Sequence, residues 1–504
     1  MTTLPFLRPA RLGAALIFLA AACLGSPALA RPADPPADKK DEPKVVITEH
    51  QTTIGGQPIQ YKATAGEFTL LSDTLKPRAK VFYISYEIPG RDPATRPITF
   101  AFNGGPGSSS VWLHLGTIGP KRVPLGPEGM DAPPNATLIE NSESWLDLTD
   151  IVFIDPVSTG FSRPVEGEDA RQFHGLHEDV SAVGDFIRQY ITKQRRWASP
   201  KFLAGESYGT TRAAGLSGYL QETLGINLDG IVFISPILNF QTARFDEGND
   251  TAFWLYLPTY TATAWYHKKL DASLGDLNAA MEQSRRFAAG EYMLALAKGD
   301  ALTTDERDQV AAKYAKLTGV SRQFVLDNDL RLPLHRFTKE LLRDQGRSVG
   351  RLDSRYKGID RVAAGDAPDE DPSYTAILAP YTSALNRYIR EELGFESDLN
   401  YEILTGRVHP WNFASATNEY VNVAGTLRRA MTGNPNLQVL FCSGYYDLAT
   451  PTFAMDYTID HLGLDPSLRA NIRRAYYESG HMMYVRTADL QKLRRDVEPL
   501  YRRR

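Results

Sequence analysis

The chain has 504 residues, of which 42% are hydrophobic and 23% charged, with a formal net charge of −4. That balance suits a folded globular chain able to build a large core, and it argues against an intrinsically disordered one. A slightly acidic protein gives no electrostatic reason to expect nucleic acid or an anionic membrane as partner.

At the start, Arg8 and Arg11 precede an apolar run from Leu12 to Leu24, and Ala28-Leu29-Ala30 supplies small residues for cleavage before Arg31. Residues 1–30 therefore read as a signal peptide. The run is too short, and too soon broken by Gly25 and Pro27, for an integral membrane span. The expected destination is the periplasm or the medium; lipid attachment at Cys23 and an uncleaved anchor are the alternatives. Residues 31–44, rich in Pro, Asp and Lys, read as a disordered leader. Cleavage would leave Cys442 as the one cysteine, so no intrachain disulfide is expected. It sits in the apolar run Val439-Leu440-Phe441 and reads as an inert core thiol.

From Val45 to Gly90, alternation and β-branched residues predict antiparallel strands in VVITEH, QPIQYKAT, EFTLL and KVFYISYEI, with Gly55-Gly56 as a hairpin turn. PITFAF (97–102) is an apolar strand that runs into Asn103-Gly104-Gly105-Pro106-Gly107-Ser108-Ser109-Ser110. So dense a Gly/Pro/Ser cluster can bring backbone amides close to a ligand, although alone it is also an ordinary turn. DIVFID (150–155) is a buried-strand run, and residues 178–195 carry apolar side chains at helical spacing. KFLAGESYG (201–209) is a short strand turning through glycine-flanked Ser207 into a small-residue helix, and LDGIVFIS (228–235) gives the next strand. A serine at such a strand–turn–helix junction is the nucleophile elbow of α/β-hydrolases, where bulk at Gly205 or Gly209 would strike neighbouring backbone. Strands alternating with helices predict a doubly wound, mostly parallel sheet.

Between about residues 240 and 406 the alternation stops. The segment is helical and polar, holds aromatics at 253–256 and 260–266, and contains an acidic, proline-bearing linker at 366–372. We read it as a helical cap inserted over the carboxyl edge of the sheet, dividing an α/β-hydrolase domain into parts 45–239 and 407–504. Beyond it, residues 418–431 predict a helix, LQVLFC (437–442) a strand leading to Asp447, and a tyrosine-rich strand leads to Ser479-Gly480-His481 before a basic C-terminal helix from 486 to 504.

A serine hydroxyl needs a base to take its proton, and the base needs an orienting carboxylate; in this fold the order is Ser, Asp or Glu, then His. Past Asp447 the histidines are His461, on a helix-like stretch, and His481, in a loop. Ser207, Asp447 and His481 are therefore the expected catalytic residues, with Asp456 as the alternative acid. No HExxH, CxxC or G-x-G-x-x-G pattern occurs, so no metal or cofactor is expected.

NGGPGSSS (103–110), IDPVSTGFS (154–162), GESYG (205–209) and SGH (479–481) lie in order along the chain, and together they resemble the serine carboxypeptidase family, relatives of carboxypeptidase Y and cathepsin A. The resemblance implies an α/β-hydrolase with a helical cap that removes C-terminal residues from peptides with a free C-terminus. It implies Ser207 as nucleophile, His481 as base and Asp447 as its orienter, with the amides of Gly105 and Tyr208 as oxyanion donors. It further implies that Asn103 and Glu206 bind the substrate's terminal carboxylate, which requires one of the two facing carboxyls to hold a proton. Four positions depart from the pattern: Ser108 stands for a cysteine, Thr117 for the partner glutamate, Ala101 for a tryptophan, and Thr210-Thr211-Arg212 for the usual helix start. Losing the glutamate puts an acidic optimum in doubt. Arg212 could share carboxylate recognition or form a surface salt bridge. An esterase or acyltransferase on the same triad, and a non-catalytic binding module, remain the rival readings.

Overall fold

The computed structural model describes residues 43–502 apart from 132, 134 and 418, so the signal-peptide reading, Cys23 and the leader up to residue 42 lie outside the described residues. Lys44, read as leader, is held by Glu67 N donating to its carbonyl at 2.8 Å. Three long strands come first: β1 (Val45–Ile54), β2 (Gln57–Leu71) and β3 (Pro77–Glu87), antiparallel to one another. Burial alternates along β1 and β2, as expected for strands with one solvated face. Gly55 and Gly56, both at positive φ, close the first hairpin, where side chains would be strained. The sequence splits β2 into two candidate strands at Gly66, but it is a single strand. A side chain at Gly66 would press on Val45 and the Lys44 carbonyl, so the glycine serves the approach of β1 and does not break β2.

β4 (Ile98–Phe102), β5 (Asp150–Ile154), β6 (Lys201–Glu206), β7 (Gly230–Ile234), β8 (Gln438–Gly444) and β9 (Ile472–Tyr477) complete the sheet in the order β1-β2-β3-β5-β4-β6-β7-β8-β9. From β5 to β9 every pairing is parallel. β4 to β7 are buried along their whole length, because helices cover both faces. Successive side chains alternate between two cores: Ile151 and Phe153 join one, Val152 and Ile154 the other. This is a doubly wound, mostly parallel α/β-hydrolase sheet with antiparallel strands at its N-terminal side.

Helices α1 (Leu176–Lys193) and α2 (Tyr208–Gly218) pack on the second core, α1 through Val180, Val183, Phe186, Ile187 and Ile191. Between β7 and β8 come α3 (Thr251–Tyr266), α4 (Leu277–Phe287), α5 (Thr304–Thr318) and α6 (Pro372–Arg387). α3 is apolar all round and forms the centre of a separate cluster with its neighbours; its aromatics from Phe253 to Tyr260 are core, Trp265 and Tyr266 are partly buried, and none of them lines the recess described below. α6 instead packs Ile377, Tyr381 and Leu385 on the first sheet core. The segment also holds a small antiparallel pair, Arg347–Val349 with Lys357–Ile359, where helix was expected. α7 (Ala424–Gly433) starts six residues later than the periodicity predicts. Val421 and Val423 exchange backbone hydrogen bonds with Phe240 and Leu238, and the Asn422 side chain caps the amide of Ala424, so those residues are bound to the loop after β7. α8 (Thr452–Asp460) carries Asp456, and α9 (Thr487–Arg502) closes the described chain. No described helix is long and apolar enough to cross a membrane.

Candidate active site

β4, β6, β7, β8 and β9 run side by side in one direction, so the loops leaving their carboxyl ends gather along one edge of the sheet. Ser207 follows β6 with φ 60° and ψ −130°, a region that costs a side-chain-bearing residue about 1–3 kcal/mol. The turn is fixed by Ser207 N donating to the Ile234 carbonyl at 3.0 Å and by Thr210 N donating to the Ser207 carbonyl at 2.8 Å. A side chain at Gly205 would strike the carbonyl of Gly209, and one at Gly209 would meet the carbonyl of Phe102 at 2.7 Å. One at Gly104 would run into the amides of Tyr208 and Gly209. The Gly-rich loop after β4 and the serine turn thus touch backbone to backbone.

A recess of about 540 Å³ opens here, lined by Asn103, Gly104, Gly105, Glu206, Ser207 and His481. Apolar walls come from Trp112, Leu352, Tyr374, Ile377 and Met482. His481 Nδ1 lies 2.8 Å from Asp447 Oδ2. The Asp447 carboxylate is fully buried and accepts from Ala449 N (2.8 Å), Thr450 N (3.0 Å) and Thr450 Oγ1 (2.7 Å). Burial pulls the His481 pKa down, but the neighbouring Asp447 carboxylate outweighs it and holds the imidazole above its ordinary value. With Nδ1–H on Asp447, a neutral ring leaves Nε2 free to accept a proton in the recess that Ser207 shares.

The histidine loop is held from the inserted segment. His481 N donates to the Leu352 carbonyl at 2.6 Å and Gly480 N to Asp353 Oδ2 at 3.0 Å. From the sheet side, Ser235 Oγ donates to the His481 carbonyl at 2.6 Å. Sequence reading missed Leu352 and Asp353, since one leucine and one aspartate in a polar helical stretch carry no pattern. His461, by contrast, is exposed at the end of α8 with Nδ1 on the Tyr457 carbonyl, and Asp456 pairs with Arg285 and Arg474.

Glu206 is 3% exposed, and Tyr484 donates its hydroxyl to Oε2 at 2.6 Å. Burial pushes its carboxyl up to about 7, although His481, Tyr484 and Asn103 all act to keep it ionised. Asn103 accepts Leu113 N on Oδ1 at 3.0 Å, which leaves its NH2 for Glu206 and the recess. Thr117 is buried in the π-helical turn His114–Ile118, and its hydroxyl has no hydrogen-bond partner among the described residues. The adjoining Gly116 lies against the Tyr484 ring, so the group beside Glu206 is a phenol. Ser108 accepts from Trp112 Nε1 at 3.0 Å. Tyr208 turns its ring away from the recess onto Trp411, leaving its amide at the start of α2.

Neither expectation for Arg212 holds. It is 1% exposed, does not line the recess, and pairs with buried Asp179 at 2.8 Å. Its Nη1 donates to the backbone carbonyl of Asn103 at 2.6 Å, so it braces that residue from behind. Cys442 is buried and free, its thiol pushed up to about 12 by burial, which suits a core position.

Serine carboxypeptidase S10 family member 1 of Dictyostelium discoideum is 30% identical over 160 residues, which is 30% of this chain and 35% of that protein. Serine carboxypeptidase-like 45 of Arabidopsis thaliana is 27% identical over 204 residues, 39% of this chain and 41% of that protein. The chain thus spans well under half of the relatives it matches. The solved structure of Kex1, a prohormone-processing carboxypeptidase of Saccharomyces cerevisiae, shares the fold, with a TM-score of 0.53 at 17% identity over 87% of this chain and 91% of that one. Residues 70–494 match the family described as serine carboxypeptidase, and on that extent the chain belongs to the serine carboxypeptidase family.

Proposed function

We propose that the protein is a serine-type carboxypeptidase that removes the C-terminal residue of peptides through a Ser207–His481–Asp447 triad. The observation that carries this is one recess lined by a strained serine, an imidazole bonded to a buried carboxylate, and a buried carboxyl raised to about 7. Ser207 Oγ attacks the last peptide carbonyl while His481 Nε2 takes the hydroxyl proton. The oxyanion is met by the amides of Gly105 and Tyr208, and Asp447 stabilises the imidazolium. The C–N bond breaks as His481 passes the proton to the departing amino group. Water then attacks the Ser207 ester, with His481 again as base. Protonated Glu206 and the Asn103 amide hold the terminal carboxylate, which makes a free C-terminus necessary.

The test is Ser207→Ala, which should lower kcat by at least about 10⁴-fold and abolish fluorophosphonate labelling while leaving the circular dichroism spectrum intact. Substantial residual activity would remove the assignment. Equal cleavage of a peptide acid and its C-terminal amide would favour the esterase or acyltransferase reading, and silence towards fluorophosphonate in the wild type would favour a binding module. We also propose export: residues 1–30 have the order of a signal peptide. A mature N-terminus at Arg31 would support it, and an intact Met1 would not.

A further inference from the structure

Among the residues lining the recess, Arg351 supplies the one guanidinium or ammonium group. It lies on the loop that clasps the histidine, and its backbone is tied on both sides: Arg351 N donates to Asp371 Oδ1 at 3.0 Å, and its carbonyl accepts from Leu448 N at 3.1 Å. The side chain is exposed, and among the described residues its guanidinium has no ion pair or hydrogen bond. The other titratable groups lining the recess are Glu206, His481, Asp371, His409 and the Tyr374 phenol. Asp371 is already used as the cap of α6, accepting on Oδ1 from Ser373 N at 3.0 Å, Ser373 Oγ at 2.5 Å and Arg351 N. Glu206 bonds Tyr484 and Asn103 and is assigned, in the proposed function, to the terminal carboxylate. An arginine on a fixed backbone, lining a recess and with no ion pair or hydrogen bond to its guanidinium among the described residues, suits the role of a receptor for planar anions. Its charge also reaches the reacting centre, since it acts on the His481 imidazole.

We propose that Arg351 is a specificity residue that selects peptides carrying a side-chain carboxylate, Asp or Glu, on a residue flanking the scissile bond. This rests on the carboxypeptidase reading. The departing residue and the acyl residue both offer the same carboxylate chemistry, and the substrates below separate them.

The experiment compares kcat/KM at pH 6 for N-blocked dipeptides in two series, Glu against Gln at the departing position and Glu against Gln at the acyl position. Wild type should favour Glu by about fivefold in one series, the size expected of a partly exposed charge pair. The series that responds identifies the position. Arg351→Met should bring that ratio to about one, and Arg351→Glu should reverse the charge preference so that Lys exceeds Gln. Because each ratio is taken within one protein sample, partial misfolding of a variant cancels. Added salt at 0.5 M should shrink the wild-type ratio, as screening requires. Ratios near one in both wild-type series, or a Glu preference that survives Arg351→Met, overturn the inference and leave the carboxypeptidase reading intact. Absence of cleavage of every dipeptide overturns both.

Discussion

Under the proposed function, replacing Glu206 by glutamine isolates the proton on which recognition of a free C-terminus would depend. Glu206 stands at about 7 in the folded protein against an ordinary 4.5, because burial disfavours its ionised form. A peptide's terminal carboxylate is ionised above about pH 4. Two carboxylates about 3 Å apart would repel by roughly 5 kcal/mol at an effective dielectric constant of 20, so the doubly ionised complex is minor. Glu206 must then be protonated to bind. The proton is present below pH 7 and lost above it, and the bound fraction should fall about tenfold for each pH unit above that value. The assay is the inhibition constant of an N-blocked amino acid product, followed from pH 5.5 to 8.5, which reports affinity apart from the chemical step. Wild type should show a flat acidic limb and a rising constant beyond pH 7, while Glu206→Gln should give a flat profile. Loss of positive charge on His481 would weaken carboxylate binding in the same direction, and the variant separates the two. A slope that persists in Glu206→Gln assigns the titration to the histidine and refutes the reasoning.

Tyr484→Phe removes a donor to the ionised form of Glu206 and so should raise the Glu206 pKa further. The alkaline limb should move up by about one pH unit, as one charge-assisted hydrogen bond predicts. Asp447→Asn should lower kcat by about 10⁴-fold with little change in KM, since a wrong tautomer is chemically inert yet still fills the site. Asp179→Asn leaves the buried Arg212 charge unpaired and should cost about 3–5 kcal/mol in urea unfolding; a loss below 1 kcal/mol would mean that the pair is solvated.

The strands were legible because punctuation and chemistry coincide: β4, β6 and β8 are apolar runs that end where a loop of glycines or small residues begins. Gly66 misled because a glycine for close approach looks the same in sequence as one for a turn. Residues 421–423 misled because helical spacing says nothing about backbone groups already claimed by a distant loop, as those of Val421 and Val423 are. Arg212 reads as surface because charge usually lies there; its burial depends on Asp179, thirty-three positions away on α1. Arg351, Leu352 and Asp353 were illegible for a plainer reason. Their importance comes from where the segment lands, against the loop of His481, and no local pattern encodes a landing site.

That landing has a consequence for engineering. The amide of His481 is held by a stretch of chain that also forms part of the wall of the recess. Swapping the 240–406 region for that of a cousin, in the hope of importing its substrate taste, would therefore disturb the tuning of the imidazole as well. A working chimera would have to carry its own carbonyl and acid to the two amides at 480 and 481, so under the proposed function selectivity and turnover would evolve together.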